Sequence, residues 1–313
     1  MRSPRALLIA GPTASGKSAL AIALAEELGG SIVNADSMQV YGELRVLTAR
    51  PAPEEEARVP HRLYGHVPAA VAYSVARWLE DAAAVVRSTE AEGRLPIIVG
   101  GTGLYFAALL EGLSPVPAIP QAVREHWRRE AERVQPVQLH AMLAARDPAM
   151  AARLMPLDRQ RVTRALEVIE ATGTSLAEWQ TRSGTPLLAG AETLRLLIAP
   201  ERDLLRERCA GRFGQMLATG ALVEVEALLQ MQLENELPAM RAVGVRPLAR
   251  HIRGTISLGQ ATEEAIAETR QLAKRQMTWA RQRMGDWHWL AGPDLAAALR
   301  LLTGFEGHSG VVT

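Results

Sequence analysis

Cysteine is almost absent from this chain. One residue, Cys209, occurs in 313, so an intrachain disulfide is excluded, and no Cys/His grouping has zinc-ligand spacing. Cys209 itself reads as a small core or helix residue. Lysine is nearly absent too. Only Lys17 and Lys274 occur among the 35 basic residues, the rest being arginine. A lysine in such a chain marks a place where a compact ammonium suits better than a guanidinium fork. No apolar run approaches the roughly 18 residues of a membrane span. The N-terminal Arg2 to Arg5 followed by Ala6-Leu7-Leu8-Ile9-Ala10 imitates a signal peptide, but the apolar stretch is short and Gly11-Pro12 ends it. The expectation is a soluble cytoplasmic protein, probing no membrane.

Hydrophobic residues make up 48% of the chain, enough for a substantial core, and nothing points to disorder. The length suits about two domains, or one core with an insertion. The net charge of +1 is uninformative as a sum. Its distribution is not: between Arg241 and Gly285 nine basic residues face three acidic ones, a local excess suited to a nucleic-acid partner.

Short apolar runs at 5–10, 31–36, 95–99 and 194–198, with a further one at 287–290, read as strands. Helical stretches at 18–28, 74–92 and 104–110 alternate with them, which predicts an α/β fold with a parallel sheet flanked by helices. After Pro115, Pro117 and Pro120 the pattern becomes purely helical. Val162, Ala165, Leu166 and Ile169 form one stripe, with Asp158 as cap and Gly173 as stop. We therefore expect an all-helical insertion domain at 117–193 within a core of 1–116 plus 194–313. Three more helices are expected at about 201–217, 221–230 and 262–284.

Gly11-Pro12-Thr13-Ala14-Ser15-Gly16-Lys17-Ser18 fits the P-loop pattern G-x4-G-K-[ST] between a strand and a helix. Its glycines let successive N–H groups and a helix N-terminus surround phosphate oxygens. Lys17 would bridge the outer phosphates and Ser18 would hold Mg²⁺. The core is thus P-loop NTPase-like. A Walker-B acid is missing, however: the strand at 95–99 runs into Gly100-Gly101-Thr102. The acid that ends a strand nearby is Asp36. A transferase that uses the loop to hold its donor fits better than a nucleotide-driven motor.

Several further segments stand in order along nearly the whole chain: NADSMQVY at 34–41, TARP at 48–51, HRLYGHV at 61–67, VGGTGLYFAALLEGLSPVP at 99–117, DRQRVTRALEVIEATG at 158–173, RAVG at 241–244 and TRQLAKRQMTWAR at 269–281. With the P-loop, this sequence resembles the bacterial tRNA dimethylallyltransferases. The resemblance implies a diphosphate-bearing prenyl donor, dimethylallyl diphosphate. It implies Mg²⁺ as cofactor and, as acceptor, the exocyclic amine of the adenosine 3′ of the anticodon in a tRNA anticodon stem-loop. The tRNAs would be those reading codons that begin with U. A monomer is expected.

The residue chemistry agrees. Pyrophosphate must leave an allylic carbon, so fixed donors at the leaving oxygens lower the barrier. Lys17 and the loop amides can supply them, and by resemblance Arg212 joins them. The attacking aromatic amine must lose a proton, which calls for a carboxylate. Asp36, at the carboxyl end of a strand beside the loop, is the candidate base. Thr102 can hydrogen-bond near the amine, and Gln39 would by resemblance contact the adenine edge, with Ser37 and Met38 beside it. The base must leave its stack to react, which is cheap in a single-stranded loop. On a helix Arg270, Lys274 and Arg281 fall within about 40° of one another, with Arg275 nearby, and read as phosphate grips. So do Arg124, and Gln160, Arg161 and Arg164 with Val162 and Thr163. The segment Arg241, Ala242, Val243, Gly244, Val245 and Arg246 completes the set. Val245 stands where the family usually has an aromatic, Arg50 where it has lysine and Leu47 where it has glycine.

Three other functions share parts of this pattern. A free-adenine-nucleotide prenyltransferase would need neither the insertion nor the basic stripe. A P-loop small-molecule kinase would use Lys17, Ser18 and Asp36 on ATP. A non-catalytic RNA-binding protein would leave Asp36 without a task.

Overall fold

The structure is a computed structural model describing residues 4–182, 184–189 and 192–305. Arg2 of the N-terminal run lies outside them. Among the described residues, no helix is long and apolar enough to cross a membrane.

Two compact units form: 1–110 with 187–313, and 111–186. The larger unit holds strands β1 (Ala6–Ala10), β2 (Gly30–Asn34), β3 (His61–Arg62), β4 (Leu95–Gly100), β5 (Thr193–Ile198) and β6 (His288–Leu290). They build one parallel sheet in the order β3-β2-β4-β1-β5-β6. Every residue of β1 and β2 is buried, as expected of strands covered on both faces. Helices α1 (Lys17–Leu28), α2 (Pro53–Arg58), α3 (Val75–Ala91) and α4 (Gly103–Glu111) connect the first four strands or follow them. One apolar cluster, including Leu7, Ile9, Leu24 and Ile97, lies between the sheet and α1. Another, including Leu8, Ile98, Trp78 and Phe106, lies between the sheet and the α3 and α4 helices. The Trp78 indole N–H donates to the carbonyl of Asn34 at 2.9 Å and its ring stacks on Tyr105 at 4.0 Å. A buried aromatic pair thus fixes the carboxyl end of β2.

The smaller unit is helical: α5 (Gln121–Arg133), α6 (Pro136–Arg146), α7 (Pro148–Ala151), α8 (Arg159–Thr172) and α9 (Leu176–Trp179). Trp127, Leu139, Leu143, Val162 and Leu166 make its core. Asp158 caps α8 by accepting the N–H of Arg161, and Gly173 ends it at φ 65°, as the sequence indicated. The division falls at 110/111 and 186/187, a few residues earlier than the prolines suggested. The reason is local: Leu109 O accepts the N–H of Leu187 at 3.0 Å and of Leu188 at 3.1 Å, tying both to the larger unit.

The rest of the larger unit is α10 (Arg202–Ala218), α11 (Ala221–Gln230), a 3-10 turn at Ala239–Arg241, α12 (Val245–Ile252), α13 (Leu258–Arg283) and α14 (Leu295–Thr303). Tyr41, Leu44, Phe213, Val225, Val245 and Leu248 pack a further apolar cluster among them. Helix α13 begins four residues before the position expected. Ser257 and Gln260 form a reciprocal capping box there, Ser257 Oγ accepting the Gln260 N–H and Gln260 Oε1 the Ser257 N–H.

Candidate active site

Three loops meet at the carboxyl edge of three neighbouring strands, β2, β4 and β1, where ligands of open α/β sheets gather. The loop after β1 is the P-loop. Gly16 takes φ 90° as it enters α1 and Ala14 lies at φ 64°, so the backbone folds back on itself. The Pro12 carbonyl accepts both the Ser15 N–H at 3.2 Å and the Lys17 ammonium at 3.2 Å. The Ser15 hydroxyl is fully buried and without a partner among the described residues. Lys17 retains some exposure as a residue, yet its ammonium is enclosed by protein. Burial pulls its pKa down to about 8; Asp36 opposes that shift and Arg212 adds to it. An ammonium so poised, with Arg212 near it, gains from an incoming anion.

Arg212 comes from α10 and donates to the Thr13 hydroxyl. Burial also lowers the pKa of its guanidinium, while Cys209 and Asp36 favour the charged form. Arg212 therefore leaves the helix surface and reaches the loop.

Strand β2 ends at Asn34, two residues short of the strand-ending carboxylate expected. Asn34 is fully buried; its amide donates to the carbonyls of Asp36 and Leu63 at 3.0 Å each, and its Oδ1 accepts the Asp36 N–H at 2.8 Å. The turn is thereby fixed, and Asp36 Oδ1 accepts the Met38 N–H at 2.9 Å. After β4, the Thr102 hydroxyl accepts the Ser37 N–H at 2.9 Å and lies 3.3 Å from Ser37 Oγ. Gln39 is committed within the protein: its amide donates to the carbonyls of Thr48 and Ala49 at 2.9 Å each. In this structure it braces a neighbouring loop.

Thr13, Asp36, Met38 and Arg212 line one pocket with an apolar wall of Leu47, Phe213, Met216, Val243 and Leu272. Polar and charged groups thus adjoin an apolar wall. Sequence reasoning missed most of that wall, and also Thr48, Thr269 and Cys209, which line the same pocket. The 46–50 stretch is held at its start by Glu224, whose carboxylate accepts the N–H of Val46 at 3.0 Å and of Leu47 at 2.8 Å. Burial raises the pKa of that acid against those bonds. Gln276 was also missed: it links the P-loop to the glycine turn, as its bonds to Thr13 and Gly101 show.

The expected grips divide. Arg270, Lys274, Arg275 and Arg281 on α13 are exposed, and none joins an ion pair among the described residues. Ala273, Ala280 and Met284 are buried on the helix's other side. Arg241 and Arg246 are exposed as well. Ala242, Gly244 and Val245 are buried, and the Gly244 N–H is bound to Glu268 at 3.2 Å. Val245 is a core residue, which explains an aliphatic side chain there. In the helical unit Gln160 and Arg161 are exposed and Arg164 and Arg124 are half-buried. Val162 and Thr163 are buried: Val162 belongs to the apolar core of the unit, and the Thr163 hydroxyl donates to the Arg159 carbonyl at 2.8 Å. Arg161 pairs with Asp158 at 3.4 Å and Arg164 with Glu167 at 3.3 Å. The Arg161–Asp158 pair is solvent-facing, worth about 0–1 kcal/mol and able to exchange for another anion, whereas Arg164 is held by a buried carboxylate.

For Mg²⁺ the fit rests on donor chemistry. Ser18 and Asp36 offer hard oxygens, while no group of three His, Cys, Asp or Glu occurs among the described residues. A Mg²⁺ ion, which keeps waters and favours substrate phosphates over all-protein cages, suits that set.

A parallel sheet with a P-loop, a neighbouring carboxylate and a pocket joining anion donors to an apolar wall defines a P-loop protein of the group-transfer kind. Comparison with known proteins sharpens this. Residues 39–283 match the family model described as IPP transferase, and residues 4–66 match that described as isopentenyl transferase. The chain is 56% identical over 284 residues to the tRNA dimethylallyltransferase of Azorhizobium caulinodans, covering 91% of each chain. It is 57% identical over 293 residues to that of Rhodopseudomonas palustris strain BisB18, covering 94% of this chain and 92% of the relative. Among solved structures, the tRNA isopentenylpyrophosphate transferase of Bacillus halodurans superposes with a TM-score of 0.67 at 29% identity, covering 96% and 94% of the two chains. A eukaryotic dimethylallyltransferase acting on tRNA superposes at 0.80 with 26% identity, covering 97% of this chain and 81% of that one. The chain belongs to the IPP transferase family and is an enzyme of the transferase class.

Proposed function

We propose that this enzyme transfers a dimethylallyl group from dimethylallyl diphosphate to the N6 amine of the adenosine 3′ of the anticodon, in tRNAs that read codons beginning with U. The products are N6-isopentenyladenosine and diphosphate. The observation that carries the reading is the pocket where Arg212, Thr13 and Asp36 meet an apolar wall. The names of the relatives, all transferases acting on tRNA, support it.

In the reaction N6 attacks the allylic carbon, the carbon–oxygen bond to the diphosphate breaks, and the N6 proton moves to the Asp36 carboxylate. Lys17, Arg212 and the loop amides receive the charge that grows on the leaving oxygens. Ser18 would hold Mg²⁺, which would supply positive charge at the leaving group. Asp36 is fixed by its bond to the Met38 N–H, so it meets the amine without reorganising. Arg270, Lys274, Arg275 and Arg281, exposed on α13, suit a polyanionic acceptor; a free nucleotide would not need them.

Purified protein incubated with Mg²⁺, labelled dimethylallyl diphosphate and either unmodified tRNA or AMP tests this. Label on the adenosine beside the anticodon, with none on AMP, is expected. Label on AMP alone moves the enzyme to the free-nucleotide class, and ATP turnover without labelling moves it to the kinases.

A further inference from the structure

We infer that Gln276 is a positioning residue for the diphosphate site, setting the P-loop against the glycine turn after β4. The inference rests on the reading of the P-loop as the donor site. Gln276 lies on α13, 263 residues from the loop it holds. Its Oε1 accepts the Thr13 N–H at 2.8 Å and its Nε2 donates to the Gly101 carbonyl at 3.0 Å. One amide thus uses both its faces, one on each of two loops that reach the site from adjacent strands.

The local arrangement leaves this task to it. Pro12 has no N–H, and its carbonyl is occupied by Ser15 and Lys17. Thr13 is held through its side chain by Arg212 and through its backbone by Gln276. Both anchors come from outside the loop, and only Gln276 continues to the turn that carries Thr102. The turn is shaped for the approach: a Cβ on Gly101 would fall 2.2 Å from Gln276 Nε2, and one on Gly103 would fall 2.1 Å from Trp279 Nε1. Glycines there let α13 come close enough for the bridge. The same helix exposes Arg270, Lys274 and Arg281, yet Gln276 turns away from them into the protein.

A backbone amide held at the wrong angle weakens the cradle before any chemistry begins. Removing Gln276 therefore acts on donor binding and spares the step that follows. Binding of inorganic pyrophosphate with Mg²⁺, by calorimetry, and donor KM and kcat on saturating tRNA are compared for the wild type, Gln276→Leu, Gln276→Glu and the control Gln282→Leu on the exposed side of the helix. For Gln276→Leu we expect pyrophosphate affinity to fall about tenfold, the scale of one or two lost hydrogen bonds, and donor KM to rise in step. kcat should change by less than about threefold, and tRNA affinity should hold. Gln276→Glu, which keeps an acceptor for Thr13 but loses the donor to Gly101, should lose affinity as well and covers the case in which the leucine variant does not fold. Unchanged pyrophosphate affinity in a folded variant, with only a lower melting temperature, would reduce Gln276 to a packing residue and overturn the inference. So would a loss of tRNA affinity alone. If the wild type labels no RNA, the proposed reaction fails, but the pyrophosphate comparison still decides the role of Gln276.

Discussion

Thr102 and Ser37 are joined across 65 residues of sequence: the threonine hydroxyl accepts the serine N–H at 2.9 Å. The bond ties the turn after β4 to the turn after β2, one residue beyond Asp36. Thr102 thereby helps fix the carboxylate, whatever it also does for a substrate. Replacing Thr102 by valine leaves the Ser37 N–H without its acceptor, at a cost of about 1–3 kcal/mol. We expect that loss in chemical denaturation together with lower kcat, while Thr102→Ser keeps both near wild type. A valine variant with normal kcat would remove Thr102 from the site.

Asp36→Asn separates geometry from proton transfer. The amide oxygen can still accept the Met38 N–H, so the turn survives. The base does not. Turnover on saturating tRNA should drop by about 10²–10⁴, with pyrophosphate affinity within about threefold. Near-normal turnover would make the base assignment wrong.

Lys17 sets a pH dependence. In the free protein its pKa is about 8, below the ordinary 10.5, mainly because its ammonium is buried. Pyrophosphate prefers the charged form, so its affinity should hold up to pH about 8 and then weaken, by up to about tenfold per pH unit, until the pKa of the complex is passed. The sign for stability is opposite. Between about 8 and 10.5 the unfolded chain binds more protons than the native one. This residue's contribution to stability therefore rises with pH across that window and is lost as pH falls through 8. Calorimetric titrations from pH 7 to about 9.5 on wild type and Lys17→Met would show the slope in the first and not in the second.

Arg270, Lys274 and Arg281 should act by charge alone if they grip phosphates. Each changed singly to glutamine should lower the slope of log affinity for tRNA against log salt by about 0.7–0.9. Donor KM should stay as it is. An unchanged salt slope in all three would make this stripe an ordinary solvated face.

What the sequence made legible was mostly local. The P-loop needs only eight consecutive residues, and the strand before it and helix after it are where they were expected. Asp36 and Thr102 stood out because each follows a buried strand. The two-residue strand at His61–Arg62 is too short to carry a period. Gln276 was illegible because its partners are 175 and 263 residues away and nothing in the helix pattern marks a glutamine as inward. The wall formed by Leu47, Phe213 and Met216 likewise arises from packing between distant segments. Motif membership misled at Val162, Thr163 and Val245: a motif segment includes residues that hold the fold as well as residues that meet a partner. The missed start of α13 was different, since Ser257 and Gln260 spell a capping box that could have been read.

The single carbonyl of Leu109 that receives both Leu187 and Leu188 has a broader meaning. It closes a ring in the chain, so that everything from 111 to 186 is, for the sheet, one long loop with its ends already stapled. The entropy of closing such a loop grows only with the logarithm of its length. Evolution could therefore lengthen, shorten or rebuild that whole excursion at little expense to the catalytic sheet, provided the two returning amides still find the same oxygen.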